Sequence, residues 1–300
     1  MMSRTWRIVP LIVLAPLACW AADSGESPPA RLVSFAELER RLGEPTLRVL
    51  DARPKADYDK GHIPGAVWVD ARAVATMAVK NPGVLTDRKA WESWLAPLGI
   101  GPKTDVLVYD ANRQLDAARL WWLLGYLGVE RAGLINGSFP LWVAENRPVT
   151  TEVATVEPSS VEVRFRKDRN ATRAEVLAAI ASKSALIVDA RSRGEYDGIE
   201  KRAKRGGHIP AACHLEWSDL VGKDGRFLEE ADLHARLAKA GVNASEPVIT
   251  HCQNGGRASV NAFVLDRLGF KARNYYLGWS DWGNAEETPV DVDVASKPSP

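Results

Sequence analysis

Residues 248–257 read Val-Ile-Thr-His-Cys-Gln-Asn-Gly-Gly-Arg, and this segment decides the fold. Val248 to His251 forms the short apolar run that is typical of a buried strand. Ala258 to Leu268 then places apolar residues at helical spacing. Cys252 to Arg257 therefore joins the end of a strand to the N-terminus of a helix, which is the alternation of an α/β layer.

The chemistry of this loop follows from its position. Successive backbone N–H groups at a helix N-terminus, together with the positive end of the helix dipole, favour an anion. The same surroundings, with Arg257 beside them, favour the thiolate form of Cys252 and make it a nucleophile. A cysteine that only packs explains neither Arg257 nor the pair Gly255 and Gly256, which lets the backbone curl tightly.

The chain contains an internal repeat. Residues 49–53, Val-Leu-Asp-Ala-Arg, return at 187–191 as Ile-Val-Asp-Ala-Arg, and Gly-His-Ile-Pro occurs at 61–64 and again at 207–210. Each copy predicts an α/β domain with a largely parallel sheet flanked by helices. We place the domains at 31–150 and 168–290, with a linker at 151–167. The first copy has Asp110 at the position of Cys252.

The chain resembles the rhodanese family, specifically its tandem-domain thiosulfate and 3-mercaptopyruvate sulfurtransferases of exported bacterial type. Three motifs carry the resemblance: Asp-Ala-Arg, Gly-His-Ile-Pro and the loop 252–257. The resemblance covers nearly the whole chain after residue 30. It implies that Cys252 takes the outer sulfur of a small anionic donor such as thiosulfate, and holds it as a persulfide until a thiophilic acceptor, cyanide or a thiol, removes it. The first domain, with Asp110, is expected to be catalytically silent.

The resemblance also implies roles for the residues around the nucleophile. Arg191 is expected to face the donor anion, and Asp189 to support the active loop by hydrogen bonding. Glu195 stands where many members carry a second anion-binding arginine. The absence of that arginine favours thiosulfate over mercaptopyruvate. No cofactor and no metal are expected. The substrate-binding set is Arg191, Gln253, Asn254, Gly255, Gly256 and Arg257.

Three alternatives concern function. The 3-mercaptopyruvate enzymes usually carry a short Cys-Gly-Ser-Gly-type loop, which this chain lacks. Cysteine phosphatases of related fold keep five residues between Cys and Arg, whereas four stand here, so the ring is small for a phosphate. A persulfide carrier or binding module without turnover would have the same loop, and the sequence leaves that reading open.

The N-terminus predicts export. Arg4 and Arg7 precede an apolar run that is too short to span a bilayer comfortably, and the small residues Cys19 and Ala21 occupy positions −3 and −1 of a cleavage point. Residues 1–21 are interpreted as a signal peptide, with lipidation of Cys19 as the competing interpretation. We expect a periplasmic or secreted monomer without stable membrane association.

Charge and cysteine content agree with a small-molecule enzyme. Residues 1–21 contain two arginines and no acid, so their removal changes the formal charge from +1 to −1. A near-neutral chain argues against nucleic acid as a partner. Cleavage would leave only Cys213 and Cys252, so no disulfide framework is predicted.

The second copy also carries a basic insertion, residues 198–206, with Lys201, Arg202, Lys204 and Arg205. A charge run of this kind is typical of a solvated loop. The insertion could equally attract the anionic donor, and the sequence leaves both interpretations open.

Overall fold

A computed structural model describes residues 30–243 and 246–293 of the chain. The predicted signal peptide at 1–21, with Cys19, lies outside the described residues. Within the described ranges no helix is long and apolar enough to cross a bilayer.

The first half of the chain forms a five-stranded sheet of order β1-β5-β4-β2-β3, in which every neighbouring pair is parallel. Two 3₁₀ turns, Pro82–Thr86 and Ala96–Leu98, flank the fourth helix. Its elements are β1 (Arg31–Val33), α1 (Phe35–Arg41), β2 (Leu47–Asp51), α2 (Lys55–Lys60), β3 (Val67–Trp68), α3 (Ala71–Lys80), α4 (Arg88–Leu95), β4 (Asp105–Tyr109), α5 (Leu115–Tyr126), β5 (Ala132–Ile135) and α6 (Phe139–Ala144).

The second half forms a four-stranded sheet of order β7-β6-β8-β9, again entirely parallel. A 3₁₀ turn, Trp217–Leu220, follows β7. The predicted α/β class, with two parallel sheets flanked by helices, is confirmed. The elements are α7 (Arg173–Ser182), β6 (Leu186–Asp189), α8 (Arg193–Tyr196), β7 (Cys213–His214), α9 (Glu230–Lys239), β8 (Val248–His251), α10 (Gly256–Arg267), β9 (Ala272–Tyr275) and α11 (Gly278–Trp282).

The apolar composition of β4 and β8 explains their position inside the sheets. Val106 and Val248 are fully buried, as expected of strands that are covered by helices on both faces. β8 lies between β6 and β9, so the loop that follows it opens at the carboxyl edge of the sheet. Ligands of open parallel sheets bind at this edge.

The two halves pack through α5 and α10. Trp121 meets Phe263 edge-on with ring centroids 4.9 Å apart, and Trp122 stacks on Tyr276 at 4.6 Å. These contacts belong to one hydrophobic cluster that contains residues of both sheets. The active-site loop at the start of α10 therefore lies directly beside a helix of the first half.

Residues 151–167, the predicted linker, contain no regular element. They run along the surface of the first half, where the Ser159 N–H donates to the Ala96 carbonyl at 3.0 Å. Val163 is buried there, and its N–H donates to Glu92 Oε1 at 3.2 Å.

Candidate active site

Cys252 follows β8 and is fully buried, in contact with Ala190, Ala258 and the edge of Trp217. Its carbonyl accepts a hydrogen bond from the Trp279 N–H at 2.7 Å. A Cβ on Gly278 would lie 2.1 Å from that carbonyl oxygen, so only glycine permits this approach.

The backbone N–H groups around Cys252 are available for an anion. Among the described residues, the N–H groups of Gln253 to Ala258 donate to no protein acceptor, and the first N–H that does so is that of Ser259, to the Gly255 carbonyl at 2.9 Å. The first N–H groups of any helix lack intrahelical partners. Here they surround a cysteine, which is the arrangement that binds an anionic sulfur group.

The two loop glycines serve different purposes. Gly255 has φ +84° and precedes α10 in the left-handed conformation, where a Cβ would also lie 2.3 Å from the Tyr276 ring. Gly256 has an ordinary φ, but a Cβ there would lie 2.2 Å from Nη2 of Arg119. Tight curling therefore explains Gly255, whereas Gly256 leaves space for an arginine of the first domain.

Arg257 is held by a buried carboxylate. Its Nη2 donates to Glu195 Oε1 at 2.9 Å, and its Nη1 donates to Oε2. Glu195 is 1% exposed and also pairs with Arg202 at 3.2 Å. Burial raises the pKa of Glu195, but the Arg257 guanidinium outweighs it and the pKa is lowered. Part of the positive charge of Arg257 is therefore neutralised beside the loop.

Donor binding by Arg191 stays a prediction, and the structure places its side chain in a buried ion pair. Its guanidinium is 1% exposed and pairs with Asp189 at 2.6 Å, donates to the Gly207 carbonyl at 2.7 Å and lies 4.2 Å from the Trp279 ring centroid. Arg53 makes the same pair with Asp51, also at 2.6 Å, in the domain that lacks the cysteine. A pair found in both domains supports the fold, so Arg191 acts behind the loop.

Asp189 pairs with Arg191 at the end of β6, and its other neighbour, His251, was not among the predicted site residues. His251 is fully buried, and its Nε2 lies 3.5 Å from Asp189 Oδ2. Burial, opposed by Asp189, lowers the pKa of His251 to about 4, so the imidazole is neutral at pH 7. The repeat offered a signal, because Tyr109 stands in the equivalent position and donates to Asp51 at 2.5 Å.

Gln253 and Asn254 each hydrogen-bond to a residue outside the loop. Gln253 Nε2 donates to the Arg202 carbonyl at 3.0 Å, which attaches the loop to the basic insertion. The Asn254 carbonyl accepts from Arg119 Nη1 at 2.7 Å. Arg119 is 6% exposed and was also missed, because its partner lies 135 residues away and no local pattern connects them.

The basic insertion combines surface and packing roles. Lys201 and Arg202 are exposed. Arg205 points inward and donates to the carbonyls of Thr288 at 2.6 Å and Trp282 at 2.8 Å. The insertion therefore packs against α11 and the C-terminal segment, and only part of it is a solvated loop.

The equivalent loop of the first domain is filled by its own side chain. Asp110 Oδ1 accepts from the N–H groups of Asn112 and Gln114, both at 3.0 Å, and Oδ2 accepts from those of Asp116 at 2.9 Å and Ala117 at 3.0 Å. Burial raises the pKa of Asp110 to about 6, although these amides oppose the rise. The carboxylate occupies the place that an anionic ligand would take.

A family model, the rhodanese-like domain, matches residues 34–145 and 172–285. The chain belongs to the rhodanese family. The thiosulfate sulfurtransferase of Azotobacter vinelandii is 32% identical over 262 residues, which cover 87% of this chain and 97% of that protein. The sulfur carrier protein TtuD of Thermus thermophilus is 33% identical over 283 residues, which cover 89% and 98%.

Solved structures give the same result. The crystal structure of SseA from Escherichia coli, a 3-mercaptopyruvate sulfotransferase, aligns with a TM-score of 0.71 at 24% identity, over 83% of this chain and 99% of that one. The structural likeness confirms the rhodanese fold. The predicted sulfurtransferase activity is confirmed by the relatives named thiosulfate sulfurtransferase at about 32% identity.

Proposed function

We propose that the protein moves a sulfane sulfur from thiosulfate to a thiophilic acceptor through a persulfide on Cys252. The observation that carries the proposal is the row of N–H groups from Gln253 to Ala258, which lies beside the thiol at the start of α10 and donates to no acceptor within residues 30–243 and 246–293. In the silent loop the corresponding N–H groups bind Asp110 instead. The relative from A. vinelandii carries the name of the same reaction.

The transfer takes two displacement steps. The Cys252 thiolate attacks the outer sulfur of thiosulfate, the S–S bond breaks, and sulfite leaves with the bonding electron pair. The persulfide anion then lies among the loop N–H groups, which stabilise its negative charge. In the second step cyanide attacks the outer sulfur and leaves as thiocyanate, and the Cys252 thiolate is restored.

The remaining site residues have two roles, which are binding of the sulfur group and support of the loop. The backbone of Gln253, Asn254, Gly255 and Gly256 binds the sulfur group, and Arg257 supplies positive charge next to it. Asp189 and Arg191 hold the end of β6 behind the loop.

Two other assignments compete with thiosulfate transfer. The E. coli structure is named for 3-mercaptopyruvate, and the T. thermophilus relative is named a sulfur carrier. Gln253, Asn254 and Arg257 resemble thiosulfate-type loops and favour thiosulfate over mercaptopyruvate. A carrier would load one sulfur and stop, which kinetics can distinguish.

The test is steady-state thiocyanate production from thiosulfate and cyanide by the purified protein without residues 1–21. We expect multiple turnovers, and complete loss of turnover in Cys252→Ser, because the hydroxyl is similar in size but cannot hold a sulfane sulfur. Circular dichroism and Tm of the variant should match the parent. A single loading without turnover would support the carrier, and turnover by Cys252→Ser would refute the persulfide.

We also propose that the protein is exported, with cleavage after Ala21, and acts as a periplasmic or secreted monomer. Support comes from the basic and apolar N-terminus and from the free state of Cys213 and Cys252. N-terminal sequencing of the protein from a periplasmic fraction would find Ala22 first. A lipidated Cys19 would appear instead as a membrane-bound form with the acyl mass.

A further inference from the structure

Every carbonyl of the loop from Cys252 to Gly255 accepts a hydrogen bond, so the whole loop is held from outside. Three of the four carbonyls are bound by groups of the second domain, whereas the Asn254 carbonyl is bound by the first. The donors are the Trp279 N–H for Cys252, the Ser280 N–H for Gln253, Arg119 Nη1 for Asn254, and the Ser259 N–H, the Ser259 hydroxyl and Asn274 Nδ2 for Gly255.

Binding a carbonyl from outside fixes the N–H on the other end of the same peptide group. A trans peptide is planar, so its C=O and N–H point in opposite directions. Arg119 therefore determines the direction of the Gly255 N–H, one of those that donate to no protein acceptor.

Arg119 is itself held firmly. It is 6% exposed, its Nη1 also contacts the Tyr276 hydroxyl at 3.2 Å, and its Nη2 lies 3.4 Å from Asn254 Oδ1. Burial lowers its pKa, but the neighbouring Tyr276 oxygen and Cys252 sulfur outweigh this and the pKa is raised. The guanidinium therefore lies within electrostatic range of the nucleophile.

Arg119 has no counterpart at the equivalent position of α10. It is the fifth residue of α5, and the fifth residue of α10 is Val260, which is apolar and fully buried. The loop after β4 instead contacts the second domain through its own side chains: Arg113 Nη2 donates to the Ser218 carbonyl at 2.8 Å, and Gln114 Nε2 donates to the Gly225 carbonyl at 2.7 Å. The space for Arg119 depends on Gly256, where any Cβ would collide with it.

We propose that Arg119 of the silent domain is a positioning residue for the persulfide loop, which it holds through the Asn254 carbonyl in the space left by Gly256. The proposal rests on the proposed function, since it concerns the loop that is to bind the sulfur. It gives the silent domain a direct part in sulfur transfer.

The first test compares Arg119→Ala and Arg119→Lys in steady-state thiosulfate–cyanide turnover. We expect kcat to fall about tenfold or more in Arg119→Ala, with a smaller change in KM, because the N–H groups act mainly on the charge that develops in the transition state. Arg119→Lys keeps one donor and a charge, and should recover part of the rate. A kcat within twofold of the parent in Arg119→Ala would overturn the proposal.

A double-mutant cycle separates positioning from general loss of stability. Gly256→Ala should push Arg119 off Asn254 and lower kcat by a factor similar to that of Arg119→Ala. The double variant should be no slower than either single one, since the two changes remove the same contact. Effects that multiply would mean that Arg119 does not act through the space at Gly256.

The matched control is Arg169→Ala. Arg169 is another arginine of the interface between the domains: it pairs with Asp266 of α10 at 3.4 Å and lies 4.8 Å from the Trp121 ring, near the opposite end of the helix pair. Its replacement should lower Tm and leave kcat unchanged. If Arg169→Ala also lowered kcat tenfold, general weakening of the interface would explain the Arg119 effect and the proposal would fail.

A donor-independent measurement separates this proposal from the proposed function. The rate of Cys252 alkylation by iodoacetamide at pH 7 requires no thiosulfate. We expect Arg119→Ala to slow it and Arg169→Ala to leave it unchanged. If the parent fails to turn over thiosulfate but the alkylation contrast holds, the proposed donor is wrong and the positioning role stands. If both variants react like the parent, the positioning role is wrong.

Discussion

The loops after β4 and β8 occupy equivalent places in the two domains, but their backbone N–H groups differ in what they bind. In the first, the carboxylate of Asp110 folds back and accepts four backbone N–H groups. In the second, Cys252 leaves the corresponding N–H groups without a protein acceptor. The N–H groups of the first loop are bound from within, whereas those of the second are the ones that we propose to bind the sulfur group.

This difference explains how the same backbone design can be either structural or catalytic. Buried N–H groups without partners cost free energy, so a loop that keeps them available must be held by other contacts. The catalytic loop has those contacts on its carbonyl side, from α11, Asn274 and Arg119. The loop after β4 has one such contact, since the Phe139 N–H donates to the Asp110 carbonyl at 2.9 Å, but the Asp110 carboxylate also binds four of its N–H groups from within.

The largest effect on sulfur transfer is expected when Cys252 is replaced by aspartate, the residue that the first loop has at this position. In Cys252→Asp the new carboxylate should bind the free N–H groups as Asp110 does, and sulfur transfer should fall to background, a loss of at least about a thousandfold. Unlike Cys252→Ala, this variant should keep or exceed the parental Tm. Turnover assays and thermal denaturation of both variants check this, and a marked loss of Tm in Cys252→Asp alone would show that the two loops are not equivalent.

The next effect concerns the Asp–Arg pairs that the domains share. Arg53→Ala and Arg191→Ala should each lower the free energy of unfolding by about 3–5 kcal/mol, because each leaves a buried carboxylate without its partner. Urea denaturation measures both. If Arg191→Lys raised KM for thiosulfate while Arg53→Lys did not, Arg191 would bind the donor after all.

Removing the Asp110 carboxylate, which binds the N–H groups of the first loop, should affect stability more than catalysis. Asp110→Ala leaves four N–H groups without their acceptor, and we expect a loss of about 2–4 kcal/mol in the free energy of unfolding. The kcat of thiosulfate turnover should stay within about threefold of the parent. A tenfold fall in kcat would place the first loop in the reaction.

The difference in stability between the parent and Asp110→Ala should depend on pH. Since burial raises the pKa of Asp110 from 3.8 to about 6, the folded chain binds more protons at this site than the unfolded chain between those pH values. The stability contributed by the group therefore decreases as the pH rises through this window. Urea denaturation at both ends should show that the advantage of the parent over Asp110→Ala narrows with rising pH; an advantage that widens would refute the raised pKa.

The smallest effect is expected at Glu195. In Glu195→Gln, Arg257 loses its buried counter-charge, so KM for thiosulfate should fall roughly three- to tenfold with kcat little changed. The matched control is Asp57→Asn in the first domain, where the carboxylate is exposed and pairs with Lys60. A rise in KM in Glu195→Gln would mean that Glu195 holds Arg257 in its binding position.

The repeat and the loop motif were sufficient to predict the fold, and they single out Cys252 as the candidate nucleophile. Apolar runs before Asp110 and Cys252 define the central strands, and the alternation of short strands and helices defines parallel sheets. The order of the strands and the packing of α5 on α10 depend on contacts between distant residues, which local periodicity does not encode.

The site was predicted less completely, for the same physical reason. Cys252 is identified by its neighbours in sequence, but the partners of Arg191 and Gly256 are identified only in space. Gly256 was attributed to backbone curl, whereas its neighbour is Arg119 of the other domain. Glu195 was noted as a departure from the family, but its pairing with Arg257 required the fold.

The hydrophobic cluster that joins Trp121 to Phe263 and Trp122 to Tyr276 makes the two domains one cooperative unit. Neither domain can unfold alone without exposing the aromatic face of the other to water, which couples the two unfolding equilibria. Denaturation should therefore appear as a single transition, with the same midpoint by tryptophan fluorescence and by loss of turnover. The first domain, which has Asp110 in place of a cysteine, therefore supplies part of the hydrophobic core of the second domain.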